Sequence, residues 1–132
     1  MTHLLHPGLL HSFTLPMDRE HYVRFYVWAS KKDMQSGNSN LKDKDYLGSA
    51  TGNYFGHANG RIAIPKRFGE VHLVKEYLSA RIVAHEINHL LTYWADAHSW
   101  MPMAHDEQLA RLCGELHRRF WKEIYKYGLA RN

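Results

Sequence analysis

The residues best suited to chemistry in this 132-residue chain are two histidines and a glutamate in the segment His85-Glu86-Ile87-Asn88-His89. On an α-helix, residues four positions apart lie on one face, so His85 and His89 can both point at one metal ion. Glu86 is one position further around the helix, close enough to reach a metal-bound water and accept its proton. The spacing predicts a zinc site with His85 and His89 as metal ligands and Glu86 as general base.

The sequence around the motif favours this interpretation over a pair of ordinary buried histidines. Ala80–Trp94 (ARIVAHEINHLLTYW) is predicted to be helical and is apolar around most of its circumference. Two histidines and a glutamate in a buried helix are costly unless something pairs with them. A bound metal ion supplies that partner.

Catalytic zinc usually has three protein ligands and one open position, so a third ligand must follow the motif. Glu107 is the first choice, because it shares a helical stripe with Ala110 and Gly114 at the edge of an apolar face. Small residues there predict a close approach between the two helices. His105 remains an alternative third ligand, as does a loop residue, His98 or Asp96.

Two helices are predicted in the second half of the chain. The first runs from about Lys75 to Ala95 and carries the motif. After a break at 96–102, the second runs from about Met103 to Tyr127, where Gly128 is a natural stop. Its apolar residues recur every three or four positions, as expected for a helix that packs one face on a core.

Short strands are predicted before the helices. His21–Ala29 is rich in valine and aromatic residues, while Lys31–Asp45 is polar and predicted to be an exposed loop. Tyr46–Asn59 contains three glycines, which indicates short irregular strands or a turn. Arg61–Pro65 and Glu70–Val74 form a possible hairpin. Together these elements predict one α+β domain over residues 1–132, with short antiparallel strands preceding the two helices.

Composition excludes several classes of protein. A hydrophobic fraction of 45% argues for a folded globule rather than a disordered chain. The net charge is +4 and the pI about 9.2, but Lys and Arg are dispersed, so nucleic-acid binding is not expected. No run of 18 apolar residues is present, so no membrane association is expected.

The cysteine content and the N-terminal residues bear on location. Cys113 is the single cysteine, which excludes an internal disulfide and is compatible with the reducing cytoplasm. Histidines and a proline interrupt residues 1–17, so a secretory signal is not predicted. Oligomeric state is left open by these features.

His85-Glu86-x-x-His89, followed 18 residues later by Glu107, resembles the gluzincin branch of the zincin metallopeptidases. In that branch a glutamate on a following helix is the third zinc ligand. Some gluzincins have an aspartate four residues after that glutamate, a position that Arg111 occupies here. Zincins associated with DNA repair use a histidine instead of the glutamate, which keeps His105 as an alternative.

A narrower resemblance links the chain to small H-E-x-x-H proteins of tailed phages and prophages. Its residues are Asp106–Ala110 (DEQLA), Gly114 and Phe120-Trp121. Gly69–Leu73 (GEVHL) also resembles the edge strand of minimal zincins. The resemblance implies a protein of the host cytoplasm.

These resemblances imply a zinc-dependent peptidase acting on a protein or peptide substrate, with Glu86 passing a proton from water to the leaving amine. Glu70–Val74, as an exposed edge strand, would bind the peptide. Tyr93, His98 and Tyr54 are candidate oxyanion stabilisers. The alternative is a catalytically silent zincin-like module that acts in phage assembly or binds a host factor.

Overall fold

The computed structural model describes residues 6–42, 44–56, 62–101 and 103–130. Arg61 and Pro102, which belong to segments predicted above, lie outside the described residues. In chain order the elements are β1 (Leu9–Pro16), β2 (Tyr22–Trp28), α1 (Lys31–Gly37), β3 (Gly48–Gly52), β4 (Phe55–Gly56), β5 (Ile62–Ala63), β6 (Arg67–Val74), α2 (Ala80–Ala97) and α3 (Asp106–Lys126). Single 3₁₀ turns precede β3 and α2, at Ser39–Leu41 and Lys75–Tyr77.

Four strands form one mixed sheet in the order β1-β2-β6-β3. β1 and β2 are antiparallel, as are β6 and β3, whereas β2 and β6 are parallel, with Phe25 opposite Val71. β6 is therefore an interior strand, and β3 is at the edge. The predicted hairpin and the predicted edge strand at Glu70–Val74 are both wrong, because β6 pairs with β2 and β3 while β5 pairs with β4.

The two helices that follow the sheet pack on one of its faces. Phe120 of α3 lies against Phe13 and Phe25, with ring centroids 5.9 and 5.3 Å apart. Val71 and Leu73 of β6 are buried in the same core. Ser79 precedes α2 and caps it, because its side chain accepts a hydrogen bond from the N–H of Ile82.

The opposite face of the sheet is covered by α1 and the 3₁₀ turn after it. Met34 and Leu41 pack there against Trp28. The prediction of an exposed loop over Lys31–Asp45 is therefore wrong for α1 and for the 3₁₀ turn at Ser39–Leu41. Ser30 precedes α1 and caps it, because its side chain accepts a hydrogen bond from the N–H of Asp33. The burial of Met34 holds the short helix on the sheet.

The predicted α+β class is confirmed by this sheet and its helices, whereas the prediction that the strands are antiparallel is wrong for β2 and β6, which are parallel. Residues 80–97 and 106–126 are helical, within a few residues of the predicted ranges at most ends. Within the described ranges, none of the helices has the length and apolar character that crossing a bilayer requires.

Candidate active site

His85 and His89 lie side by side on an exposed face of α2, so the predicted burial of the motif is wrong for the two histidines and holds for Glu86 alone. Their Nε2 atoms are 3.1 Å apart, and the two rings are nearly perpendicular, at 82° with centroids 4.6 Å apart. Two imidazole nitrogens bound to one tetrahedral zinc at about 2.0–2.1 Å are about 3.3 Å from each other. The spacing of the two nitrogens therefore fits ligands of a single metal ion.

Glu86 lies one position around the helix and faces the sheet. It is only 6% exposed, and it lies beside Gly48 at the start of β3. Burial raises the pKa of the Glu86 carboxyl above its ordinary value, while the coulombic influence of His85 and His89 acts in the opposite direction. A carboxylate that is partly removed from water in this way is a stronger base than an exposed one.

The three motif residues line one cleft of about 460 Å³ between α2 and the edge of the sheet. One wall is α2, which contributes Arg81, Ile82, His85, Glu86, His89 and Tyr93; the other is formed by residues 45–50. Among the described strands β3 pairs with β6 alone, so one wall of the cleft contains an edge strand of the sheet.

A larger cavity of about 690 Å³ lies elsewhere, between the start of α2 and the end of α3. Lys75, Glu76, Trp121 and Tyr125 are among its lining residues. It contains none of the motif side chains, so the smaller cleft is the stronger candidate for an active site.

The structure does not bring Glu107 to the two histidines. Its carboxylate accepts a hydrogen bond from Arg111, 2.9 Å away, and both side chains are mostly exposed. Glu107 precedes the buried Leu116 by nine residues, which at about 100° per residue places it on the opposite side of α3. Across the described ranges, no group of three or more His, Cys, Asp or Glu is arranged to hold a metal.

The predicted close approach of the two helices at Ala110 and Gly114 is also wrong, because this face of α3 is turned away from the core. Both residues are exposed, and a Cβ added to Gly114 would meet no atom within 4 Å. α3 contacts the core instead through Leu116, Phe120 and Ile124.

The alternative third ligands are also engaged elsewhere. His105 Nδ1 contacts the backbone of Met101, and its ring stacks on Trp100 with centroids 5.2 Å apart. The Nδ1 of His98 is 2.9 Å from the backbone oxygen of Trp94. Asp96 accepts a hydrogen bond from the hydroxyl of Tyr54.

Of the three candidate oxyanion stabilisers, Tyr93 alone is in the cleft lining. The hydroxyl of Tyr54 is occupied by Asp96, and this hydrogen bond, with a smaller effect of burial, raises the pKa of Tyr54 to about 12. The ring of His98 packs against Trp94 and Trp100.

Sequence reasoning missed the role of β3 as the second wall of the site. The available signal was the pair Gly48 and Gly52, since glycine in a strand often marks a close approach by another element. A Cβ on Gly52 would be 2.7 Å from the Cβ of Tyr93, so both glycines are positions where α2 lies against the strand.

No family model, no curated protein and no solved structure matches this chain. The residues of the cleft are therefore the basis on which a function is proposed.

Proposed function

We propose that this protein is a zinc-dependent peptidase that cleaves peptide bonds in the cleft between α2 and β3. The observation that carries the proposal is the pair of Nε2 atoms 3.1 Å apart, with the buried carboxylate of Glu86 beside them in one cleft. Few structural roles require two exposed histidines and a buried glutamate to share a cleft.

In this proposal His85 and His89 hold the metal through their Nε2 atoms. Zinc, when bound, lowers the pKa of a coordinated water and polarises a carbonyl oxygen. Glu86 accepts the proton of the attacking water and later delivers it to the leaving amine. The Tyr93 hydroxyl is the candidate donor to the oxygen on which negative charge develops.

The substrate in this proposal is an extended peptide lying along β3. An edge strand presents unpaired N–H and C=O groups, which can pair with the backbone of an added strand. β3 replaces Glu70–Val74 in this role, because β6 already has a partner on each side. Binding through the peptide backbone would also place the scissile carbonyl near the motif without requiring a particular side chain.

One observation favours a second candidate function, a zincin-like module that binds a partner protein without cleaving it. Among the described residues the site has two histidine ligands, one fewer than catalytic zinc usually has, and Glu107 is on the far side of α3. The single cysteine and the resemblance to phage proteins motivate the further proposal that either function is exercised in a host cytoplasm.

The peptidase proposal is tested with purified protein, metal analysis and a random peptide library read by mass spectrometry. We expect close to one zinc per chain after dialysis, loss of zinc in His89→Ala, and zinc-dependent cleavage by the wild type. Glu86→Gln should retain zinc and lower the cleavage rate by about 10²–10⁴-fold, the usual contribution of a general base.

Glu76→Gln is the matched control, because Glu76 is exposed and outside the cleft. It should behave as the wild type. Zinc binding without any cleavage across the library would favour the binding module. Equal cleavage by the wild type and Glu86→Gln would contradict the assigned base.

A further inference from the structure

Arg81 is an exposed cation at one end of the cleft. It is the first of four residues spaced by four on α2, followed by His85, His89 and Tyr93, and all four line the cleft. Arg81 is exposed, and in the described part of the chain no carboxylate forms an ion pair with it. The four residues form a row along the α2 wall of the cleft, and Arg81 is the first of them.

Neither of the two carboxylates in the cleft lining forms an ion pair with Arg81. Asp45 is bound to Lys31, and Glu86 is buried beside Gly48. Among the described residues, a ligand that reaches Arg81 therefore meets a cation that has no ion-pair partner. Arginine prefers carboxylates, because its planar guanidinium can donate two parallel hydrogen bonds to the two oxygens.

The direction of β3 decides which end of a bound peptide reaches Arg81. Gly48 lies against Glu86 and Gly52 against Tyr93, so β3 runs alongside α2 in the same direction. A peptide pairing antiparallel to β3, the commoner arrangement in sheets, runs the opposite way. Its residues after the scissile bond then lie toward Arg81.

The distance along the peptide follows from helix and strand geometry. The proposed metal lies between His85 and His89, so it is level with residue 87 of α2. Six residues of helix rise about 9 Å, which separates this level from Arg81. Each residue of a strand spans about 3.3 Å. Arg81 is therefore level with the third residue after the cleaved bond.

We propose that Arg81 determines specificity by binding a carboxylate on the third residue after the scissile bond. The inference rests on the proposed function, since it assumes that the cleft binds an extended peptide. The carboxylate belongs either to an aspartate or glutamate side chain or to the C-terminus of the peptide. Both present the same planar group to the guanidinium.

Cleavage of a random peptide library separates these two sources. We expect the wild type to cleave peptides with Asp or Glu at the third position after the cut, or with their free C-terminus there. Amidation of the C-termini of the library removes the C-terminal carboxylate and leaves the Asp and Glu side chains unchanged. Arg81→Gln should lower kcat/KM for carboxylate-bearing peptides by about 10- to 100-fold, the usual range for a lost hydrogen bond to a charged group. Cleavage of neutral peptides should change little.

Arg81→Glu should reverse the preference, so that Lys or Arg is enriched at the same position. Lys122→Glu on α3 makes the same charge change outside the cleft and should keep the wild-type preference. Identical product profiles for the wild type and Arg81→Glu would overturn the inference, as would a wild type indifferent to carboxylates.

A binding measurement distinguishes this inference from the peptidase proposal. Zinc-loaded Glu86→Gln protein is immobilised, the library is passed over it, and the retained peptides are sequenced. Retention of carboxylate-bearing peptides that is lost in the Arg81→Gln, Glu86→Gln double variant supports the inference even if the wild type cleaves nothing. Retention that is the same with and without Arg81, or no retention of any peptide, overturns it.

Discussion

Gly48 of β3 and Glu86 of α2 are in contact at the point where the strand edge meets the motif helix. A Cβ on Gly48 would be 3.1 Å from Cγ of Glu86 and 3.2 Å from its Oε2. The absence of a side chain at residue 48 thus leaves room for the carboxylate beside the strand. The position of the proposed base depends on a residue 38 positions earlier in the chain.

Enlarging residue 48 should displace the Glu86 carboxylate. We expect Gly48→Val to lower stability by about 1–3 kcal/mol, as overpacking of a buried site does, and to lower the cleavage rate while zinc content stays unchanged. Gly48→Ala should have a smaller effect on both, because a methyl group requires a shift of only a few tenths of an ångström. Denaturant unfolding and metal analysis measure the two quantities. Wild-type activity in Gly48→Val would contradict the assignment of Glu86.

Replacing Glu107 should not remove the metal. Its side chain is 72% exposed and paired with Arg111, so Glu107→Gln is expected to keep the zinc affinity of the wild type, whereas His85→Gln should lose it. Competition with a chromophoric zinc chelator measures the affinities. A large loss in Glu107→Gln would instead restore the three-ligand site of the gluzincins and would mean that the start of α3 moves when the metal binds.

Gly114→Ala should stabilise the protein. Gly114 is inside α3 and exposed, and an added Cβ meets nothing, so the substitution removes the entropic cost of glycine in a helix, about 0.5–1 kcal/mol. Thermal and urea unfolding should both show the gain. If stability falls instead, α3 lies closer to another element at this point than its exposure indicates.

His72 should be found as the tautomer that carries its proton on Nε2. Trp28 can only donate, and its Nε1–H lies 3.0 Å from Nδ1 of His72, so Nδ1 must accept. The Nε2 atom is 3.0 Å from the carboxylate of Glu70. Long-range ¹H–¹⁵N NMR correlations identify the tautomer. Trp28→Phe should remove this restriction and destabilise the protein by at least the 1–3 kcal/mol of an unsatisfied buried acceptor; an unchanged melting temperature would show that the bond contributes little.

Local sequence patterns were sufficient to predict those helices and strands whose formation depends mainly on residues close together in the sequence. The aromatic and β-branched run predicted the strand now seen as Tyr22–Trp28. Apolar periodicity predicted both long helices, because a helical repeat of 3.6 residues appears in the sequence as apolar residues three or four positions apart. β1 was missed, although alternate residues Leu9, His11, Phe13 and Leu15 carry a strand signal, and α1 was missed although Ser30 and Asp33 form a helix start.

The sequence by itself determined that His85, Glu86 and His89 share a helix, since a separation of four residues fixes their relative positions on any α-helix. Only the tertiary structure decided which other residues lie next to these three side chains. Parallel pairing of β2 with β6 made β3 the edge strand, and that pairing joins residues more than 40 positions apart. The rotation of α3 that buries Leu116 and Phe120 turned Glu107 to solvent, because the largest apolar surface, not a single carboxylate, sets the orientation of a helix on its core.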